Sequence, residues 1–172
     1  MSEISRPTRP RQPIARRLQI LLRDGTAIEG TVKVGAGQSL VAFLNARTGW
    51  MNLTQARRTK SDDAEGHLIV HSDHIVMASA PDGKVQVAPT TSAGMDEHIV
   101  EFVLLGGRTV RGYVPAASGQ RLSDAVSASG RFMALSLARL FPEGVDVGDV
   151  AIQTAGIAIV RDLRGAAAQE PE

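Results

Sequence analysis

Few residues in this chain have the types and spacing for chemistry. His67, His71 and His74, with Asp73 beside them, form the one imidazole cluster. On a strand His67 and His71 share a face, and a tight turn brings His74 back toward them, so the set suits zinc or nickel. The corresponding positions of the second half, described below, hold Asp149, Gln153 and Gly156. A metal site would therefore be confined to one half, and the reading adopted is polar residues on an exposed hairpin, with no metal and no cofactor. A second group is basic. Arg6, Arg9 and Arg11 alternate with Pro7, Pro10 and Pro13 near the N-terminus, Arg16 and Arg17 follow, and Arg57, Arg58 and Lys60 form a further cluster. Such side chains contact phosphate backbones or acidic partners, but a few arginines alone bind neither tightly. Trp50 and Phe132 are the large aromatics at equivalent positions; the reading adopted is core packing, while an exposed pair would make a symmetric partner surface.

Nothing places a nucleophile beside a base. There is no cysteine, which removes disulfides, thiolate metal sites and cysteine nucleophiles. Asp24, Asp73, Asp96 and Asp124 fall at turns and helix ends, where aspartate serves turn geometry and capping. Gly37 and Gly119 precede short helices, but the lysine and Ser/Thr of a phosphate-binding loop are missing. An enzyme is not expected. The formal net charge is +1, so no global field selects nucleic acid or membrane. No apolar run reaches the roughly 20 residues that span a bilayer. Met1-Ser2-Glu3 leads into Arg and Pro rather than an apolar leader, so a soluble, cytoplasmic protein is expected.

The elements that position these residues come from an internal repeat. Gly30–Ala56, shifted by about 82 positions, falls without a gap on Gly112–Ala138. Gly37-Gln38 meets Gly119-Gln120, Trp50-Met51 meets Phe132-Met133, and Ala56-Arg57 meets Ala138-Arg139. The register extends outward from Leu18/Val100 to Met77/Ile159. Each unit is roughly 65 residues long, a size that buries proportionally little surface, so the two must pack on each other or oligomerise.

Leu18, Ile20 and Leu22, an Asp24-Gly25 turn, then Ile28, Gly30, Val32 and Val34 read as a hairpin. Val100–Leu104, Gly106-Gly107 and Val110–Val114 repeat it. Gly30 and Gly112 mark a bend or a close backbone approach. Gln38–Asn45 and Gln120–Ser127 carry apolar residues at helical spacing. Third strands follow at Trp50–Thr54 and Phe132–Ser136, with Trp50 and Phe132 turned toward the helix. After Arg57, Arg58 and Lys60 an exposed turn is expected over Ser61–Gly66, and its counterpart Arg139–Gly144 is more apolar. Leu68–His71 with His74–Met77, and Val150–Gln153 with Ile157–Val160, close each unit. The division expected is a disordered basic arm (1–13), repeat one (14–80), a linker (81–95) in which Val85-Gln86-Val87 can add an edge strand, repeat two (96–163), and a disordered tail (164–172).

Strand, bent strand, strand, then two short strands across a tight turn resembles the Sm-like small β-barrel. Met51-Asn52-Leu53 with Ala56-Arg57 is similar to the end of the first Sm motif, and Ile69–Val76 to the second. The resemblance implies a mainly β fold of two tandem Sm-like or SH3-like barrels, each of about five strands plus one short helix. Here the helix lies between strands two and three rather than at the N-terminus. The RNA-binding Asn of that family falls on Asn52, but the second copy has Ala134. The family's Arg-Gly is replaced by His71-Ser72-Asp73 and by Gln153-Thr154-Ala155, so the uridine-binding set is largely missing. The pattern around Gln120–Asp124 and Phe132–Leu135 is also similar to uncharacterised bacterial domains, a resemblance that implies a bacterial source and supplies no activity. The function expected is a non-enzymatic interaction or scaffolding module that binds a protein, or itself, through edge strands or the surface between the repeats. The alternative is RNA binding by the basic arm with Arg57, Arg58 and Lys60.

Overall fold

The computed structural model describes residues 12–59, 64–82, 86–87 and 95–164, with side chains from residue 66 onward in the second segment. In chain order the elements are β1 (Ile14–Leu22), β2 (Ala27–Val34), α1 (Leu40–Asn45), β3 (Trp50–Arg58), β4 (Ala64–His71) and β5 (Ile75–Ser79). They are followed by β6 (Met95–Leu104), β7 (Thr109–Ala117), α2 (Leu122–Ala128), β8 (Phe132–Phe141), β9 (Val145–Gln153) and β10 (Ile157–Asp162). One 3-10 turn joins β4 to β5 (Ser72–His74), and another joins β9 to β10 (Thr154–Gly156). The second half therefore repeats the element order of the first.

The strands form one antiparallel sheet in the order β10-β6-β7-β8-β9-β5-β1-β2-β3-β4. Each half contributes its strands in one internal order: fifth, first, second, third, fourth. The halves are joined where β5 pairs with β9. The sheet is not closed. Among the described residues β4 has only β3 as a neighbour and β10 has only β6.

Local chemistry explains the elements. In β1 and β2 every second residue turns inward, so Leu18, Ile20, Ile28, Val32 and Val34 are buried. The turn between them is fixed by the Asp24 carboxylate, which accepts from Thr26 N at 2.8 Å, and by Gly25 in the left-handed region. Ser39 caps α1, its Oγ accepting from Ala42 N at 3.2 Å. The remaining orphan donors find the linker: Leu40 N and Val41 N donate to the carbonyls of Gln86 and Val87 at 2.8 and 3.0 Å. Of the expected edge strand Val85-Gln86-Val87, the two described residues thus seal a helix start instead, and Val87 is buried in the first core. Val85 lies outside the described residues.

The third and fourth strands of each half are longer than the sequence suggests. β3 runs to Arg58 and β8 to Phe141 because a bulge, not a turn, interrupts the pattern. At each bulge one non-glycine residue is left-handed, Gln55 (φ 51) and Leu137 (φ 50). The inward glycines serve this packing. A Cβ on Gly30 would stand 3.1 Å from Leu53 Cβ, and one on Gly112 would stand 2.7 Å from both Leu135 Cγ and Ser136 O.

Two apolar cores result, and each borrows from the other half. The first, built around Leu18, Leu40, Leu44 and Leu53, contains Phe132 and Ala151. The second, around Val100, Phe102, Leu135 and Ile152, contains Leu21, Val76 and Met77.

Candidate functional site

The sequence-predicted residues do not converge on one centre. Arg6, Arg9, Arg11 and Lys60 lie outside the described residues. Arg17 and Arg57 both reach the carboxylate of Glu29; Arg57 donates from Nη2 at 2.7 Å and from Nε at 3.1 Å. Burial works to raise the Glu29 carboxyl, but the hydrogen bonds and charges of Arg57 and Arg17 outweigh it and hold the group below its ordinary value. Two of the expected phosphate-binding cations are thus committed to an internal acid. Arg16 is half-buried and donates to the Ala15 carbonyl, and Arg58 ends β3.

In the histidine hairpin the rings meet edge to face. The Trp50 and His71 rings meet edge-on at 4.9 Å, and His71 and His74 at 5.9 Å. His71 Nδ1 accepts from Asp73 N at 3.3 Å. His67 sits across from Thr54 on the neighbouring strand. Among the described residues no three His, Asp or Glu groups are arranged to hold a metal ion.

The most built polar feature joins the two halves. Phe132 N donates to Asn45 Oδ1 at 2.7 Å, and Asn45 Nδ2 donates back to Phe132 O at 3.0 Å, so one side chain at the end of α1 clamps the start of β8. Arg131 Nη1 donates to the Arg47 carbonyl at 2.6 Å, Nη2 donates to Ser72 Oγ at 2.9 Å, and the guanidinium pairs with Asp73. Arg23 Nη2 reaches Gln153 Oε1 at 3.1 Å. Below this clip the backbones pair in the register Met77↔Ile152, Ala78↔Ala151 and Ser79↔Val150. Phe132 therefore makes its contact within the chain.

The repeat lets this joint be compared, position by position, with the two edges that have one neighbour each among the described residues. Phe132 is 1% exposed, whereas Trp50 is 69% exposed. Ala151 is fully buried, whereas its equivalent Ile69 on β4 is 56% exposed. Met77 and Ala78 are buried at 7% and 0%, whereas their equivalents Ile159 and Val160 on β10 are 55% and 39% exposed. Phe132, Ala151, Met77 and Ala78, buried at the joint, thus have Trp50, Ile69, Ile159 and Val160 facing outward at the outer edges. The candidate site is thus a pair of apolar strand edges: β4 with Trp50 and Ile69, and β10 with Ile159 and Val160.

Several residues that organise the surface were not singled out by sequence. Asn45 and Arg131 have Ser127 and Gly49 as equivalents, so repetition gave no hint of the clip. Glu101 is buried and holds Arg111 and Arg161 at 2.7 and 2.8 Å, which ties β10 to β6 and β7. His98 is buried with Nε2 3.1 Å from the Gln120 carbonyl and Nδ1 3.3 Å from Asp162 Oδ2, and it also touches Arg164. The backbone N–H of Arg164 leads the groups that hold the Asp162 carboxyl below its ordinary value, with the Arg164 guanidinium and His98 adding to it against burial. These contacts make His98 a latch for the end of β10. Comparison with family models, curated proteins and solved structures found no match.

Proposed function

We propose that the chain is a non-enzymatic interaction or scaffolding module, two copies of one small-barrel unit fused in tandem, which binds polypeptide by adding a strand to its open edges. The observation that carries this reading is the outward apolar pair on each edge, Trp50 and Ile69 beside β4, and Ile159 and Val160 on β10. An edge strand offers a row of unpaired N–H and C=O groups that another backbone can complete, and apolar side chains on it supply burial. Proteins that avoid such pairing place charged residues or proline on an edge; here exposed Ile69, Ile159 and Val160 stand beside charged Arg161 and Asp162 at the end of β10. The polar residues differ between the copies while glycine and apolar positions are kept, which fits a scaffold better than a reaction centre.

The RNA-binding alternative has less support, since Glu29 occupies Arg17 and Arg57 and the exposed aromatic needed for stacking is a single Trp50. A photo-crosslinking residue placed in turn at Ile69, Ile159, Arg57 and Arg58 in the native cell separates the two. Protein adducts at these edges are expected. Nucleic-acid adducts, concentrated instead at Arg57 and Arg58, would reject the reading, and so would no adduct at either edge.

A further inference from the structure

Strand addition engages the edges, but a separate cleft opens behind one of them, on the outer face of β2 and β3. We infer that this cleft binds a small organic carboxylate with an apolar body. It encloses about 420 Å³, within the range that holds a small molecule. Its floor is apolar: Val32, Phe43 and Met51 are each 3% exposed. The exposed indole of Trp50 forms a wall. Lys33, Arg47 and His67 line it and are exposed, so cationic and imidazole groups surround an apolar hollow. Among the described residues that line it, none is Asp or Glu. Glu29, two residues from Thr31 on the same face of β2, is already held by Arg17 and Arg57.

The donors suit a carboxylate. The Arg47 guanidinium lies over the Phe43 ring, 5.0 Å from its centroid, a contact that orients its planar fork. Such a fork binds a carboxylate through two parallel hydrogen bonds, and Lys33 adds a second positive charge. Repeat two shows that the fold does not need this chemistry. The equivalents of Ala15, Lys33, Arg47, Asn52 and His67, all of which line the cleft, are Glu97, Pro115, Ser129, Ala134 and Asp149. The face that is cationic in one copy therefore carries acids in the other, while the apolar and glycine positions are kept. β3 lies between β2 and β4, so a polypeptide added to β4 leaves the cleft open.

The test uses the full chain. Trp50 is its one tryptophan, so the indole N–H gives a single NMR signal that reports from the wall of the cleft. Phenylacetate should shift this signal saturably, with a Kd on the order of 1 mM. Its neutral isostere phenylacetamide should bind about fivefold more weakly. Lys33→Gln with Arg47→Gln should weaken phenylacetate about fivefold and leave phenylacetamide unchanged. Both side chains are exposed, so circular dichroism should not change. A signal that does not move or does not saturate overturns the inference. So do equal affinities for acid and amide, or an unaltered phenylacetate affinity in the double variant. Uridine monophosphate binding more tightly than phenylacetate would make the cleft a nucleotide site and also overturn it. None of these outcomes bears on the crosslinks at Ile69 and Ile159, so the carboxylate site and strand addition can each fail alone.

Discussion

Truncating Phe132 and truncating Trp50 should have very different costs, although the two rings occupy the same position of the repeat. Phe132 is 1% exposed and belongs to the first core, and its backbone is held by Asn45 at 2.7 and 3.0 Å. That clamp limits how far the site can collapse, so Phe132→Ala should cost about 4 kcal/mol, within the range for buried aromatics. With a urea slope of about 2 kcal/mol/M, the unfolding midpoint should fall by about 2 M. Phe132→Leu, which keeps most of the volume, should cost about 1 kcal/mol and serves if the alanine variant does not fold. Trp50 is 69% exposed, so Trp50→Ala should change the stability of the dilute single chain by no more than about 0.5 kcal/mol. The assay is urea unfolding followed by circular dichroism, with protein concentration varied to separate folding from association. Similar costs for the two substitutions, whether large or small, would refute the claim that the internal joint is what buries one ring and leaves its twin outside.

Other outcomes follow from the same contacts. Gly112→Ala places a methyl 2.7 Å from the Ser136 carbonyl oxygen, a backbone atom that cannot step aside, and should cost about 1–3 kcal/mol in thermal or urea unfolding; Gly30→Ala meets only side-chain and Cα carbons at 3.1–3.4 Å and should cost less. The Glu29 carboxyl lies below its ordinary value of 4.5, so its contribution to stability is full above that value and is lost as pH falls through the folded value. The melting temperature of the natural chain should therefore drop more steeply below about pH 5 than that of Glu29→Gln. Because Arg17 and Arg57 are half exposed, the difference between the two should shrink in high salt; equal acid profiles would deny the pairing.

Much of this was written in spacing. The repeat register predicted both hairpins, both helices and the tight approach at Gly30 and Gly112, because apolar alternation and inward glycine are local and occur twice. What escaped was non-local or unrepeated. The length of β3 and β8 depends on Gln55 and Leu137 adopting a left-handed bulge, a conformation neither residue type favours, so the strands seemed to end early. The linker's Val87 seals α1 through a backbone bond that no side-chain pattern encodes. The joint between β5 and β9 could not be read from either strand, since a buried Met77 and an exposed Ile159 are alike in a sequence. The Asn45 clamp and the His98 latch occur once each, and a search for repeated polar residues passes over both.

Where polypeptide attaches to the chain decides between strand addition and other modes of binding. The chain has no cysteine, so a thiol-linked photo-crosslinker can be carried by Ile69→Cys, Ile159→Cys or Lys33→Cys alone. Ile69 and Ile159 are exposed on the two strands that have one neighbour each among the described residues, whereas the exposed Lys33 lies on β2 between β1 and β3. In lysate of the native cell the two edge probes should give protein adducts and the Lys33 probe far fewer. Equal yields from all three, or none from the edges, would contradict strand addition.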